Sequence, residues 1–248
     1  MGRKGGSKHL KRFPSPAFWP IHVKEFKWVV KPSPGPHPLR MCFPLSIIVR
    51  DILHYAKTYR EAKAIISSGK IKIDGKVRKD LKFPVGLMDV IEVSSINSFY
   101  RVLPVFNKGL YVVQIPKEEA WYKLCRIENK TNVKGGNIQL NLHDGRNILI
   151  KVKDPKKPEE DFYKTHDVVQ ISLEDQAIIK YLKFNEKAYA LVIAGKNVGK
   201  HGRITKIEKG TAFRPSIVSI EGANGEFFKT IADYTFVIGE DEPIIKLI

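Results

Sequence analysis

A chain of 248 residues with 43% hydrophobic side chains can bury the cores of two or three small domains, which excludes a disordered polymer. Its 43 Lys+Arg against 26 Asp+Glu, a formal net charge of +17, point to a polyanionic partner and say little about fold. Only Cys42 and Cys125 are present, which excludes a disulfide framework or a thiolate zinc site, and no apolar run approaches the ~18 residues of a spanning helix.

The opening Met1-Gly2-Arg3-Lys4-Gly5-Gly6 lacks the apolar stretch of a signal peptide, so a cytoplasmic protein without a membrane partner is expected. Charge is uneven: residues 1–80 carry 18 basic and 5 acidic side chains, residues 81–248 carry 25 and 21. Residues 1–41 mix basic groups, among them Arg3, Lys4, Lys8, Lys11 and Arg12, with His9 and the aromatics Phe13, Phe18, Trp19, Phe26 and Trp28. The proline run from Lys31 to Pro38 disfavours helix and ladder and favours extended backbone at about 3.1 Å per residue. An extension of this kind suits insertion along a polyanion, with its aromatics stacking on bases or anchoring on a neighbouring protein.

From Pro44 the apolar positions Leu45, Ile48, Val49, Ile52, Leu53 and Ala56 recur at helical spacing, with Ser46, Arg50, His54 and Lys57 opposite. A second helix starts at the capping-box spacing Thr58-x-x-Glu61, is expected to bury Tyr59, Ala62, Ile65 and Ile66, and stops at Gly69. Its outer face carries Arg60 and Lys63. Next comes a hairpin around Asp74-Gly75, with Ile71, Ile73 and Val77 the inward candidates and Lys70, Lys72, Lys76, Arg78 and Lys79 projecting outward. A strict two-residue turn sets Ile73 opposite Lys76, whereas matching Ile73 with Val77 takes an extra turn residue or a bulge. The strand Asp89–Val93 follows. Two short helices, a lysine-studded hairpin and a strand in this order resemble the S4-like RNA-binding module.

Residues 94–175 alternate in short runs, as in Tyr111–Ile115 and Asn147–Val152, and read as strands and turns, with a solvated loop expected over Asp154–Asp161. His143-Asp144-Gly145 reads as a turn, since adjacent residues cannot supply nucleophile, base and orienter together. The apolar run Ala188–Ile193 leads into Ala194-Gly195-Lys196-Asn197-Val198-Gly199-Lys200-His201-Gly202 and then the strand Arg203–Ile207. A phosphate-binding P-loop is excluded, because Ala194 and His201 stand where that pattern needs Gly and Ser or Thr, and a strand follows in place of a helix. The stretch resembles the KOW motif of small SH3-like barrels, in which Lys196, Asn197, Lys200, His201 and Arg203 would offer donors to RNA. Further strands are expected at Ile217–Ile220 and Phe236–Ile238.

Together with Lys8–Arg12, Pro34–His37, Lys72–Arg78 and Gly86–Ile91, this order resembles the S4e family of small-subunit ribosomal proteins of archaea and eukaryotes over nearly the whole chain. The first helix opens on Pro44-Leu45-Ser46 where the broader S4-like pattern has Arg-Leu-Asp, so RNA contacts are carried to Arg60, Lys63 and the hairpin rather than to Ser46 or Arg50. The resemblance implies an α+β, mostly β fold: a basic extension over 1–41, an S4-like domain over 42–104, a central β-rich domain over 105–172, a KOW-containing barrel over 173–225 and C-terminal strands over 226–248. It implies a non-enzymatic constituent of the small ribosomal subunit that binds ribosomal RNA and neighbouring ribosomal proteins, without cofactor, metal or small-molecule substrate. The rival classes are an RNA-modifying enzyme with an appended S4-like module, for which no catalytic segment is found, and a KOW-type transcription factor, which leaves the module and the extension unexplained.

Overall fold

The computed structural model describes residues 7–152, 161–211, 213–222 and 225–247, and is mostly β with few helices. The expected loop over Asp154–Asp161 lies outside the described residues except for Asp161. Three five-stranded antiparallel sheets carry the fold. The hairpin sheet runs Lys76–Val77, Ile71–Ile73, Val90–Val93, Ser98–Val105, Gly109–Ile115. The middle sheet runs Asn147–Ile150, Ile138–Leu142, Tyr122–Asn132, Val168–Ser172, Ile178–Leu182. The C-terminal sheet runs Phe227–Ile231, Ile217–Gly222, His201–Glu208, Tyr189–Val192, Thr235–Gly239. The hairpin sheet thus crosses the expected 104/105 border, and the strands after 225 lie in one sheet with the glycine loop.

The helices sit where the apolar spacing puts them, with local differences. Leu45–Ile47 is α-helical, but Ile48–Ile52 is wound wider, and the Leu53 N–H reaches the Ile48 carbonyl at 2.8 Å. The wider turn brings Ile47 and Ser46 inward beside Leu45, Ile48 and Val49, so Ser46 is buried and not part of an outer stripe. The Tyr59–Ser67 helix has the full capping box: the Thr58 hydroxyl accepts from the Glu61 N–H, and the Glu61 carboxylate accepts from Thr58. Ala62 and Ile66 are buried, while Tyr59, in the first turn, stays exposed.

The hairpin takes the strict two-residue turn, Ile73 opposite Lys76, with both turn residues at positive φ (Asp74 50°, Gly75 76°) as a type I′ turn requires. That register turns Val77 outward, 47% exposed, which corrects its expected inward place.

The extension is not a free arm. Its Leu10–Lys11 strand pairs with Trp28–Val29, and Leu10 and Trp19 belong to one continuous apolar core. That core runs through Leu45, Ile66, Ile71 and Val102 to Leu191, Ile204 and Phe236 of the C-terminal sheet. A smaller core, with Cys125, Ile127, Leu140, Val169 and Ile171, fills the middle sheet.

One strand ties these layers together. Along Tyr122–Asn132, the Tyr122 hydroxyl donates to the Ile244 carbonyl at 2.9 Å, and Arg126 donates to the carbonyls of Asp233 at 2.6 Å and Thr235 at 3.2 Å. Arg101, on the hairpin sheet, donates in turn to the Tyr122 carbonyl at 2.9 Å.

Candidate nucleic-acid interface

The second helix and the hairpin meet at Gly69, whose φ of 76° ends the helix and whose missing side chain lets the Lys79 stem pass. A Cβ there would lie 3.3 Å from Lys79 Cε. The contact gathers the outer face of the helix and the outer face of the hairpin into one surface. Arg60, Lys63, Lys70 and Lys79 are exposed on it, without a carboxylate partner among the described residues, while Lys76, paired with Ile73, is exposed on the other face of the hairpin. Lys72 is half-buried and pairs with Glu92 at 2.9 Å, and Arg78 lies over the Phe83 ring at 4.4 Å. No internal ion pair has to be broken before the four exposed groups meet an anion, as it does for Lys72.

The turn of this hairpin is pinned from beneath. Lys123, 1% exposed, places its ammonium 2.8 Å from Asp74, 3.0 Å from Asp144 and in hydrogen-bond contact with Asp89. Arg146 closes the cluster at 2.6 Å from Asp74 and 3.2 Å from Asp144, and His37 Nε2 lies 3.0 Å from Asp89. The remaining acceptor capacity goes to backbone, through the N–H groups of Val90 on Asp74 and Gly86 on Asp89. Burial alone would pull the Lys123 pKa down, but Asp74, Asp89 and Asp144 more than offset it and hold it well above the usual lysine value. Burial would likewise push Asp144 up, and Lys123, His143 and Arg146 instead bring it down to about 2. Asp89 is held below the ordinary carboxylate range against its burial by Lys123 and His37. This charge set joins the hairpin to the middle sheet, though burial still raises the Asp74 pKa and Arg146 Nη1 is buried without a hydrogen-bond partner.

The glycine loop has the expected shape, with Gly195 and Gly199 at φ 85° and 83°, but most of its donors are engaged within the protein. Asn197 donates to the Lys229 carbonyl at 3.3 Å, and Lys200 pairs with Glu226 at 2.9 Å while lying 5.5 Å from the Phe106 and Phe228 rings. His201 Nδ1 is 2.8 Å from the Tyr189 hydroxyl, and Arg203 donates to the Asp241 carbonyl at 3.2 Å. Lys196 alone of the five is exposed without a partner among the described residues. Gly199 abuts the Val105–Phe106 backbone, so the loop also docks the C-terminal sheet on the hairpin sheet.

In the extension Lys8, His9 and Lys11 are exposed, and Arg3 and Lys4 lie outside the described residues. Arg12 is a local staple: its guanidinium donates to the Ile21 carbonyl at 2.7 and 2.9 Å and to Ser15 at 3.0 Å. Trp19 corrects the expectation of an RNA contact. It is 2% exposed, its indole N–H donates to the Cys42 carbonyl at 2.9 Å, and no ring face is left for a base. The aromatics that do face outward are Phe26, Trp28 and Phe13 in the extension, with Tyr59 on the second helix. Adjacency of Lys27 and Trp28 was the available signal for the second of these.

Comparison with known proteins follows the same map. A family model described as the RS4NT (NUC023) domain matches residues 4–40, the S4 domain matches 44–91, and Ribosomal family S4e matches 96–178. The S4 domain therefore spans both helices and the basic hairpin. The small ribosomal subunit protein eS4 of Staphylothermus marinus is 58% identical over 247 residues, covering 100% of this chain and 98% of that protein. That of Methanocaldococcus jannaschii is 50% identical over 247 residues, covering 100% of each. The crystal structure of the 30S ribosomal protein S4e from Thermoplasma acidophilum is 33% identical with a TM-score of 0.66, covering 81% of this chain and 95% of that one. Matched along its whole length at such identities, the chain belongs to the small ribosomal subunit protein eS4 family, the ribosomal family S4e.

Proposed function

We propose that this protein is a structural constituent of the small ribosomal subunit in the cytoplasm, where it binds and stabilises small-subunit ribosomal RNA beside neighbouring ribosomal proteins. The observation that carries the reading is the surface of Arg60, Lys63, Lys70 and Lys79, four cations without carboxylate partners among the described residues, on an S4 domain tied to the middle sheet by the buried charge cluster. Phosphate contacts fix register and orientation on folded RNA, and a rigid platform keeps them from losing entropy on binding. Lys8, His9, Lys11 and Lys196 extend the same positive surface, while Lys72 and Arg78 would reach RNA from their half-buried places on the hairpin. No reaction is assigned to the chain.

The C-terminal sheet is read as the SH3-like KOW barrel. Its five antiparallel strands, the glycine loop joining Tyr189–Val192 to His201–Glu208 and the bulge between Ile204 and Lys206 support that reading. The sheets favour a working division into an extension to residue 41, an S4 unit reaching Ile115, a middle unit from Tyr122 to Leu182 and a C-terminal unit from Tyr189 onward.

Filter binding of the purified protein to small-subunit rRNA across a salt series tests the proposal. Log affinity should fall steeply and linearly with log salt, and Arg60→Glu with Lys70→Glu should lower affinity and remove about 0.7–0.9 of slope per lost contact. Wild-type affinity and slope in the double variant would refute the assigned face.

A further inference from the structure

Beside the S4 helices the molecule has an open groove of about 1080 Å³ that Arg60, Lys63, Lys70 and Lys79 do not line. Its walls come from two parts of the chain: the extension on one side, and the end of the first helix with the start of the second on the other. Three aromatic side chains line it without being buried by it, Phe26 at 59% exposure, Trp28 at 54% and Tyr59 at 41%. Apolar rings left in water gain free energy when covered, and three in one groove form a prepared stacking surface.

The charge around these rings selects what covers them. Lys8, Lys57 and Lys82 line the groove, are exposed, and have no carboxylate within ion-pair distance among the described residues. Of the two acidic lining residues, Asp51 already has both oxygens on Arg50, at 2.8 and 2.9 Å, so Glu25 alone opposes them. Lys11 and Lys27 add exposed ammonium groups 5.8 and 5.5 Å from the Trp28 ring. The Trp28 ring itself is held outward by the short ladder that pairs it with Lys11.

We infer that this groove seats an unstacked nucleotide from a single-stranded segment of ribosomal RNA, its base against Trp28 and its flanking phosphates on Lys8, Lys57 and Lys82. The inference rests on the rRNA-binding reading above and names a second contact distinct from the Arg60–Lys79 surface. An apolar protein segment would cover the rings but leave three lysines unpaired, and an acidic one would pair the lysines without needing the ring faces, whereas one nucleotide with its phosphates answers both features at once.

The test uses the full chain carrying Trp121→Phe, so that Trp28 is the exposed tryptophan reporting by fluorescence while Trp19 stays buried. The probes are a six-nucleotide oligoadenylate and an abasic ribose-phosphate oligomer of the same length, each end-labelled so that its affinity for every variant is read by fluorescence anisotropy, with Trp28 quenching read in the parent alone and small-subunit rRNA measured in parallel by filter binding. Saturable quenching by oligoadenylate is expected. Trp28→Leu should weaken oligoadenylate binding by about tenfold, Trp28→Phe should restore most of it, and the abasic oligomer should bind the parent protein no better than oligoadenylate binds Trp28→Leu. Melting curves confirm that both variants fold. Undiminished affinity in Trp28→Leu, or equal binding of the abasic oligomer, overturns the seat. So does quenching of Trp28 by RNA-free small-subunit proteins but not by oligoadenylate, which would make the groove a protein dock. Binding of rRNA without binding of oligoadenylate removes the seat and leaves the rRNA reading standing, whereas binding of neither removes both.

Discussion

The Lys123 ammonium lies 2.8 Å from the carboxylate of Asp74, a residue 49 positions away in the turn of the basic hairpin. The contact couples the middle sheet to the part of the S4 domain that carries the exposed cations, and it is closed to water. Replacing Lys123 by Met should leave three buried carboxylates, Asp74, Asp89 and Asp144, with Arg146 and His37 as their remaining partners and destabilise the protein by about 3–5 kcal/mol in urea unfolding. Lys72→Met, which removes the half-exposed pair with Glu92, should change stability by less than about 1 kcal/mol. Equal effects of the two substitutions would mean that the buried cluster does not join the sheets.

Acid should loosen the same joint. His143 is held neutral: its Nδ1 accepts from the Arg126 N–H at 3.2 Å, Nε2 faces the Leu87 carbonyl at 3.3 Å, and burial followed by the Lys123 charge pushes its pKa down to about 3. An unfolded histidine titrates near ~6.5, so the stability it contributes is complete above that pH and drains away as the pH falls toward the folded value. Asp144, at about 2 when folded, adds a loss at lower pH, its contribution being present above the unfolded carboxylate pKa of ~3.9 and gone as the pH falls through the folded one. Urea midpoints should therefore fall between pH 7 and 4, with a slope of at most about 1.4 kcal/mol per pH unit from His143. His143→Gln should flatten that part of the profile, and an unchanged profile would show that other groups control it.

Gly199 should be intolerant of any side chain. A Cβ would stand 2.2 Å from the Phe106 nitrogen and 2.5 Å from the Val105 carbonyl carbon, at a φ of 83°. Gly199→Ala should cost more than about 2 kcal/mol in thermal unfolding, since it combines backbone strain with overpacking. Gly225→Ala, at a φ of 76° with nothing within 4 Å of the new methyl, should cost about 1 kcal/mol from strain alone. Similar costs at both sites would contradict the docking of the glycine loop on the hairpin sheet.

Trp19→Ala should destabilise the free protein by about 3–5 kcal/mol, because it empties a core site and leaves the Cys42 carbonyl without its donor. A loss below about 1 kcal/mol in urea unfolding would mean that the extension is dispensable to the core and orders only on RNA.

Local chemistry was legible in the sequence. Asp74-Gly75 marks the hairpin turn, Thr58 and Glu61 form their capping box, and Gly69 ends the helix, because each signal is complete within a few residues, whereas the choice of a strict two-residue turn came only from the strand register. Arg60, Lys63 and Lys70 followed from helical and strand periodicity and do stand exposed, whereas Lys76 stands exposed on the face of Ile73, because the strict turn reversed the expected alternation of the second hairpin strand. Contacts between distant segments were not legible. Nothing near Trp19 distinguishes it from Trp28, yet one is buried against the body and the other faces water, a difference set by where the extension crosses the core. Lys123 reads as an ordinary alternating lysine, and only the packing of its strand between layers turns it into the centre of a charge cluster. The glycine loop was recognisable by shape, but the Glu226 and Asp241 partners that occupy Lys200 and Arg203 come from strands and turns that follow it.

The central claim is that this chain resides in the small ribosomal subunit, and sucrose-gradient fractionation of a cell extract at moderate salt tests it most directly. With the protein followed by antibody, the account predicts that it sediments with intact small subunits and leaves them as the salt is raised, in step with the electrostatic surface on the S4 domain. Recovery of the protein solely in the soluble fractions at the top of the gradient, with the small subunits intact below, would contradict it.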